Sequence, residues 1–135
     1  MAEARRLDRI DVRPAYTAED AAAYEARFAG VSAPEMLHTL LTGELHGQIA
    51  AVSSFGTESA VLLHMVAQAD PATPVVFTDT LKMFPETLAY RDTLVARLGL
   101  LDVRVIQPDP TLLAAKDPEG IRHGYDPDGC CDLRK

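Results

Sequence analysis

At 135 residues, 47% of them hydrophobic, the chain is long enough for one domain with its own core and has the composition of an ordinary globular protein. Its 20 acidic and 13 basic residues leave a net charge of -7, which opposes a nucleic-acid footprint and leaves room only for a local basic site. No apolar run approaches the roughly 20 residues that cross a bilayer, and "MAEARRLDRIDVRP" has no apolar segment behind its arginines, so the expectation is a cytoplasmic protein with no membrane partner.

In chain order, "TAEDAAAYEARFAG" places Thr17 three positions before Asp20 and closes on Gly30, and "SAPEMLHTLLTG" repeats the pattern with Ser32, Glu35 and Gly43. Both predict short capped helices. "QIAAVSS", "TPVVFTD" and "DVRVIQP" are short apolar runs that predict three strands. In the helical stretch after the first, Val61, Leu62, Met65, Val66 and Ala69 fall within about 140° of arc and predict a core-facing stripe. After the second, Pro85 suits a first turn, and Leu88, Leu94, Val95 and Leu98 share about 120° before Gly99. Arg91 lies inside that arc and reads as a stem along the sheet with its head at the rim, so it is given no site role. Residues 1–46 thus read as N-terminal helices, 47–107 as an α/β core and 108–135 as a tail without element signals, all in a single domain. The order implies right-handed crossovers and a mostly parallel, doubly wound α/β sheet with helices on both faces. Ligands of such sheets sit at the strands' carboxyl ends.

At the first of those ends, Ser53, Ser54, Phe55, Gly56, Thr57, Glu58 and Ser59 lie where a strand turns into a helix. Gly56 permits a tight or left-handed backbone, the hydroxyls add donors, and the helix N-terminus favours an anion such as phosphate or sulfate. An ordinary turn punctuated by Ser and Gly fits the spacing equally well, and no Gly-Lys-Ser/Thr follows to make a Walker A loop. Asp79, at the end of the second strand, can accept from a ribose or amine or can cap a turn, and Lys82 can neutralise an anion.

The residues "SSFGTES" resemble the PP-loop of the adenylyl-sulfate and phosphoadenylyl-sulfate reductases, and "FTDTLKMFPETLAYRD" resembles the same family's Asp-Thr-Gly segment with its Phe-Pro-Glu-Thr helix. The resemblance runs from about Glu44 to Lys135 and implies an adenine nucleotide alpha hydrolase-like fold in which Ser53, Ser54, Phe55, Gly56, Thr57, Ser59, Asp79, Thr80 and Lys82 contact the nucleotide. Leu81 stands where the family pattern usually has Gly, and Thr78 where Leu is commoner.

The only cysteines are the neighbours Cys130 and Cys131. Adjacent thiolates suit a single tetrahedral zinc poorly and the separate corners of a multi-iron cluster better, with Gly129 helping the backbone bend, although an adjacent pair taken alone more often means free thiols. "CCDLRK" resembles the Cys-Cys-x-x-Arg-Lys segment of the iron–sulfur type of these reductases, which implies that Cys130 and Cys131 are two of four ligands to a [4Fe-4S] cluster, with Arg134 and Lys135 near cluster and substrate. The implied activity is reduction of adenylyl sulfate or phosphoadenylyl sulfate to sulfite, with thioredoxin as donor, in sulfate assimilation and cysteine biosynthesis. It also implies an incomplete chain, since the second cysteine pair and the attacking cysteine lie further on in the family. No catalytic nucleophile is therefore assigned, and a homo-oligomer sharing one cluster between two chains stays open. His38, His46, His64 and His123 show no mutual metal spacing and read as structural or solvated. Two alternatives are a PP-loop ATP pyrophosphatase or sulfate adenylyltransferase-like enzyme, which has no use for the cysteines, and a nucleotide-binding fragment without turnover.

Overall fold

The computed structural model describes residues 16–135, and contacts divide the chain between Val31 and Ser32 into two units, each described by itself. The stretch read above as lacking a leader lies outside the described residues. In the first unit, α1 (Ala18–Arg27) starts as its sequence predicts: Thr17 Oγ1 accepts from the Asp20 N–H at 3.2 Å, and the Asp20 carboxylate accepts from the Thr17 N–H at 2.7 Å.

The second unit contains α2 (Ala33–Thr42), β1 (Ala51–Val52), α3 (Ser59–Ala69), β2 (Val75–Thr78), α4 (Pro85–Leu98), β3 (Val103–Ile106), α5 (Pro110–Lys116), a 3₁₀ turn at Arg122–Gly124 and α6 (Pro127–Arg134). The Glu35 carboxylate accepts from both the Ser32 N–H and hydroxyl at the start of α2. Although α2 precedes the strands in sequence, it packs on α3. All three strands are parallel in the order β1-β2-β3, with Ala51 beside Val75 and Val75 beside Val103. This is the α/β class expected.

The crossover helices α3 and α4 touch each other and pack on one core at the same face of the sheet. There the core forms from Phe55, Leu63, Val75, Phe77, Leu94 and Leu100. Along β2, Val75 and Phe77 point into this core while Val76 and Thr78 are half-buried. The strands' other face leaves Val52 and Ile106 exposed, so the two-sided covering expected of a doubly wound sheet is not filled at these positions.

The α4 stripe matches the expectation: Leu94 is buried, and Leu88, Val95 and Leu98 pack against the core. Arg91 lies with its guanidinium carbon 5.2 Å from the centre of the Phe77 ring and pairs with Asp92 at 2.8 Å, so its place is explained by packing. The α3 stripe is corrected. Its buried residues are Leu63 and Val66, with Ala60 and Ala67 against the core, whereas Val61 and Leu62 are exposed. Eight of the eleven α3 residues are apolar, too many for periodicity to mark a narrow face, and the neighbouring elements decide which side is buried.

The tail is also corrected. Residues 108–135 form α5, the 3₁₀ turn and α6. Each of the two helices begins with an aspartate that accepts backbone N–H bonds, Asp109 or Asp126, followed by proline at the first helical position.

The α3 assignment separates neighbouring leucines. Leu63→Ala is expected to destabilise by about 2–5 kcal/mol and Leu62→Ala by under about 1 kcal/mol, read by urea unfolding. Equal losses would contradict this packing.

Candidate functional site

The exits of β1 and β2 are built alike. One residue after β1, Ser53 is buried and its Oγ accepts from the N–H of Phe55 at 3.0 Å; one residue after β2, Asp79 is buried and its Oδ1 accepts from the N–H of Leu81 at 2.9 Å. In each case a short polar side chain caps the backbone two residues on. The capped residue has a positive φ, +56° at Phe55 and +60° at Leu81. The left-handed position in the first loop is therefore Phe55, whereas Gly56, which permits a tight or left-handed backbone, has no positive φ. Phe55 is held there by its ring, which is buried edge-on against Phe77 with centroids 5.5 Å apart. Burial of a whole aromatic side chain outweighs the roughly 1–2 kcal/mol cost of a left-handed L-residue. Leu81 has no such compensation, being half-exposed. A positive φ explains why glycine suits that position.

These turns redefine several expected contacts. The side chain of Phe55 belongs to the core, leaving its backbone to the loop. Ser54, Gly56 and Thr57 are exposed and Ser59 half-buried at the N-terminus of α3, the arrangement that favours an anion. Asp79 is occupied at both oxygens, since Oδ2 accepts from Gln107 Nε2 at 3.1 Å and ties the ends of β2 and β3 together.

Beyond Asp79 the chain enters a pocket of about 330 Å³ lined by Thr80, Lys82, His123, Cys130, Cys131, Arg134 and Lys135. The structure thus gathers six of the expected site residues from the β2 exit and α6, together with His123, which lines the pocket and is not merely structural or solvated. Ser53, Ser54, Phe55, Gly56, Thr57, Ser59 and Asp79 do not line it. No carboxylate does either, so in a chain of net charge -7 this wall is locally basic. Lys82 Nζ donates to the Gly120 carbonyl at 2.6 Å.

Within α6 the buried residues are Cys130 and Arg134, while Cys131 is exposed. Arg134 Nη2 donates to Asp117 Oδ2 at 2.8 Å and Nη1 to the Thr80 carbonyl at 2.9 Å, so part of its charge is already matched inside the protein. The Asp117 carboxyl is held below its ordinary pKa first by this hydrogen bond and also by backbone N–H donors. Gly129 sits inside α6. A Cβ there would collide with the Asp126 carboxylate and the Arg122 guanidinium, which pair at 2.7 Å, so close approach is what requires glycine. Two thiols on one pocket wall can offer two soft ligands, but among the described residues no three His, Cys, Asp or Glu side chains gather to hold a metal ion.

The uncompensated strain at Leu81 is testable. Leu81→Gly is expected to stabilise the fold by a few tenths to about 1 kcal/mol, the relief of a left-handed L-residue less the added chain entropy of glycine. A lower urea midpoint in the variant would show that the Leu81 side chain matters more than its backbone.

The phosphoadenosine phosphosulfate reductase domain matches residues 48–135 of the chain. An adenosine 5'-phosphosulfate reductase of Mesorhizobium japonicum is 45% identical over all 135 residues, which cover 53% of that relative. Another from a Chelativorans species is 52% identical over 89 residues, 66% of this chain and 36% of the relative. A phosphoadenosine 5'-phosphosulfate reductase of Photobacterium profundum is 43% identical over 75 residues, 56% of this chain and 29% of the relative. The chain spans about half the length, or less, of these curated relatives. With its parallel sheet, its paired strand-exit turns and a domain match across the α/β core and the cysteine helix, the chain belongs to the phosphoadenosine phosphosulfate reductase domain family.

Proposed function

We propose that this chain carries the sulfonucleotide- and cluster-binding part of a cytoplasmic reductase that converts adenylyl sulfate to sulfite and AMP, with thioredoxin as donor, in sulfate assimilation and cysteine biosynthesis. The supporting observation is the pocket in which Lys82, Arg134 and Lys135 surround two neighbouring thiols with no carboxylate in the lining. Such a wall favours a ligand that is anionic at both its phosphate and its sulfate. Adenylyl sulfate is preferred to the 3'-phosphorylated form because a relative matched over all 135 residues of this chain is an adenosine 5'-phosphosulfate reductase.

Cys130 and Cys131 fit a [4Fe-4S] cluster as half of its ligand set. Both residues line one pocket, and neighbouring thiolates can each take a separate iron. The other two ligands come from a further polypeptide segment or from a second copy of the chain. When bound, the cluster supplies a multi-iron centre beside the anion site. The work of this chain's own residues is then binding and orientation. Lys82 and Lys135 attract the anion, the N-terminus of α3 with Ser54, Gly56 and Thr57 offers donors to phosphate, and Arg134 fixes the pocket wall.

Reduction of the sulfonucleotide takes two electrons: the bond between sulfur and the phosphate oxygen breaks, AMP leaves, sulfite is released and the donor dithiol becomes a disulfide. With both cysteines used as ligands, none of the 135 residues is a thiol free to attack sulfur, so the nucleophile is assigned to no residue of this chain. An ATP pyrophosphatase reading leaves the two thiols on the pocket wall without a purpose.

Titration calorimetry tests the ligand class. The chain is expected to bind adenylyl sulfate and AMP, and Lys82→Ala to weaken both at least tenfold, about 1.4 kcal/mol, while changing adenosine binding much less. Equal weakening for adenosine would take Lys82 out of the anion site, and no binding by the folded wild-type chain would overturn the reading.

A further inference from the structure

α6 buries only two side chains, Cys130 and Arg134, four residues apart and therefore on one face of the helix. The 3₁₀ turn holds the start of α6 through the ion pair of Arg122 with Asp126, but that bond lies before the cysteines and does not reach the sheet. Past the cysteines, the link between α6 and the β2 exit runs through the Arg134 guanidinium, whose bonds to Asp117 Oδ2 and to the Thr80 carbonyl are both protein-internal. The Asp117 and Arg134 side chains are 1% and 6% exposed, so neither charge has water to replace a lost partner. Arg134 Nε is itself buried without a hydrogen-bond partner, a cost accepted only where the rest of the side chain is firmly held.

Asp117 is placed to do that holding. It closes α5, where its N–H donates to the Leu113 carbonyl, and its second oxygen accepts from the Arg122 N–H at 3.0 Å. Its carboxylate therefore joins the end of α5, the 3₁₀ turn and the last turn of α6 at one point. Removing it leaves a buried guanidinium bound only to the Thr80 carbonyl, and the face of α6 that carries Cys130 loses its anchor.

We propose that Asp117 is a positioning residue for Cys130: acting through Arg134, it holds the thiol-bearing face of α6 against the loop that follows β2. It touches neither thiol nor ligand in this role. The purpose rests on the reading of Cys130 as a cluster ligand given above, whereas the positioning itself can be measured without any cluster.

The test is the alkylation rate of Cys130 by iodoacetamide in the full chain carrying Cys131→Ser, so that a single thiol is read. Asp117→Ala is expected to speed alkylation at least tenfold, because the thiol is buried when α6 is docked and reacts when it opens. Arg134→Ala should do the same, and the double variant should be no faster than about either single one, since both remove one linkage. As the control for a general loosening of the fold, Leu63→Ala, which removes core contacts away from α6, should change the Cys130 rate less than twofold in the same Cys131→Ser chain, and a speeding equal to that of Asp117→Ala would overturn the proposal. If Asp117→Ala does not fold by circular dichroism, Asp117→Asn, which keeps the size and one acceptor, is held to the same comparison with a threshold of threefold. An unchanged Cys130 rate in a folded Asp117 variant, or single effects that multiply in the double variant, would overturn the proposal. Failure of the wild-type chain to take up iron and sulfide beside added cysteine-bearing segments would instead count against the ligand reading and leave the alkylation result standing.

Discussion

The buried guanidinium of Arg134, shared between the Asp117 carboxylate and the Thr80 carbonyl, is the contact on which the candidate site depends. A charge that is almost fully enclosed needs a partner with good geometry, and removing one member of such a pair costs more than the pair itself contributes. Here that requirement falls on residues 17 and 54 positions away in sequence. The contact joins three short helical pieces, α5, the 3₁₀ turn and α6, to the exit of β2. Cys130, Cys131, Lys135 and His123 line the pocket only because these pieces stand against the exit of β2.

The sheet supplies the other side. Parallel strands joined by crossovers bring their carboxyl ends to one edge, and β1 and β2 each leave that edge through a polar cap and a residue of positive φ. Phe55 and Leu81 reach the same backbone conformation by different means, one sustained by core burial and the other by the Asp79 cap with no burial to match. Strain of this kind is tolerated where surrounding structure over-determines it, and it fixes the direction in which a loop presents its N–H groups.

Much of this was legible in the sequence wherever a local signal and the tertiary outcome agree. Thr17 with Asp20, Ser32 with Glu35, and the Leu88–Leu98 spacing all predicted what forms, because caps and a narrow stripe leave one solution. The α3 face was not legible, since eight of its eleven residues are apolar and leave the stripe too broad to place, and the packing below it chooses Leu63 over Leu62. The tail carried its signal in Asp109-Pro110 and Asp126-Pro127, but a third such pair, Asp117-Pro118, ends α5, and helices of seven and eight residues are too short for periodicity to show them. Resemblance pointed to Thr80, Lys82, Cys130, Cys131, Arg134 and Lys135, and geometry added His123 and Asp117, whose importance comes from neighbours far away in the chain. Leu81 was legible as a departure from glycine, and its positive φ gives the physical reason that position is sensitive.

The unity of the site, one ligand held between the β2 exit and the cysteine helix, is tested most directly by amide chemical shifts of the isotopically labelled chain titrated with adenylyl sulfate. Thr80, Lys82 and the amides of residues 130–135 should move together and saturate at a common dissociation constant. Shifts confined to the groove between α2 and α3 near His38 and Met65, or a β2 exit that responds while residues 130–135 stay still, would contradict a shared site.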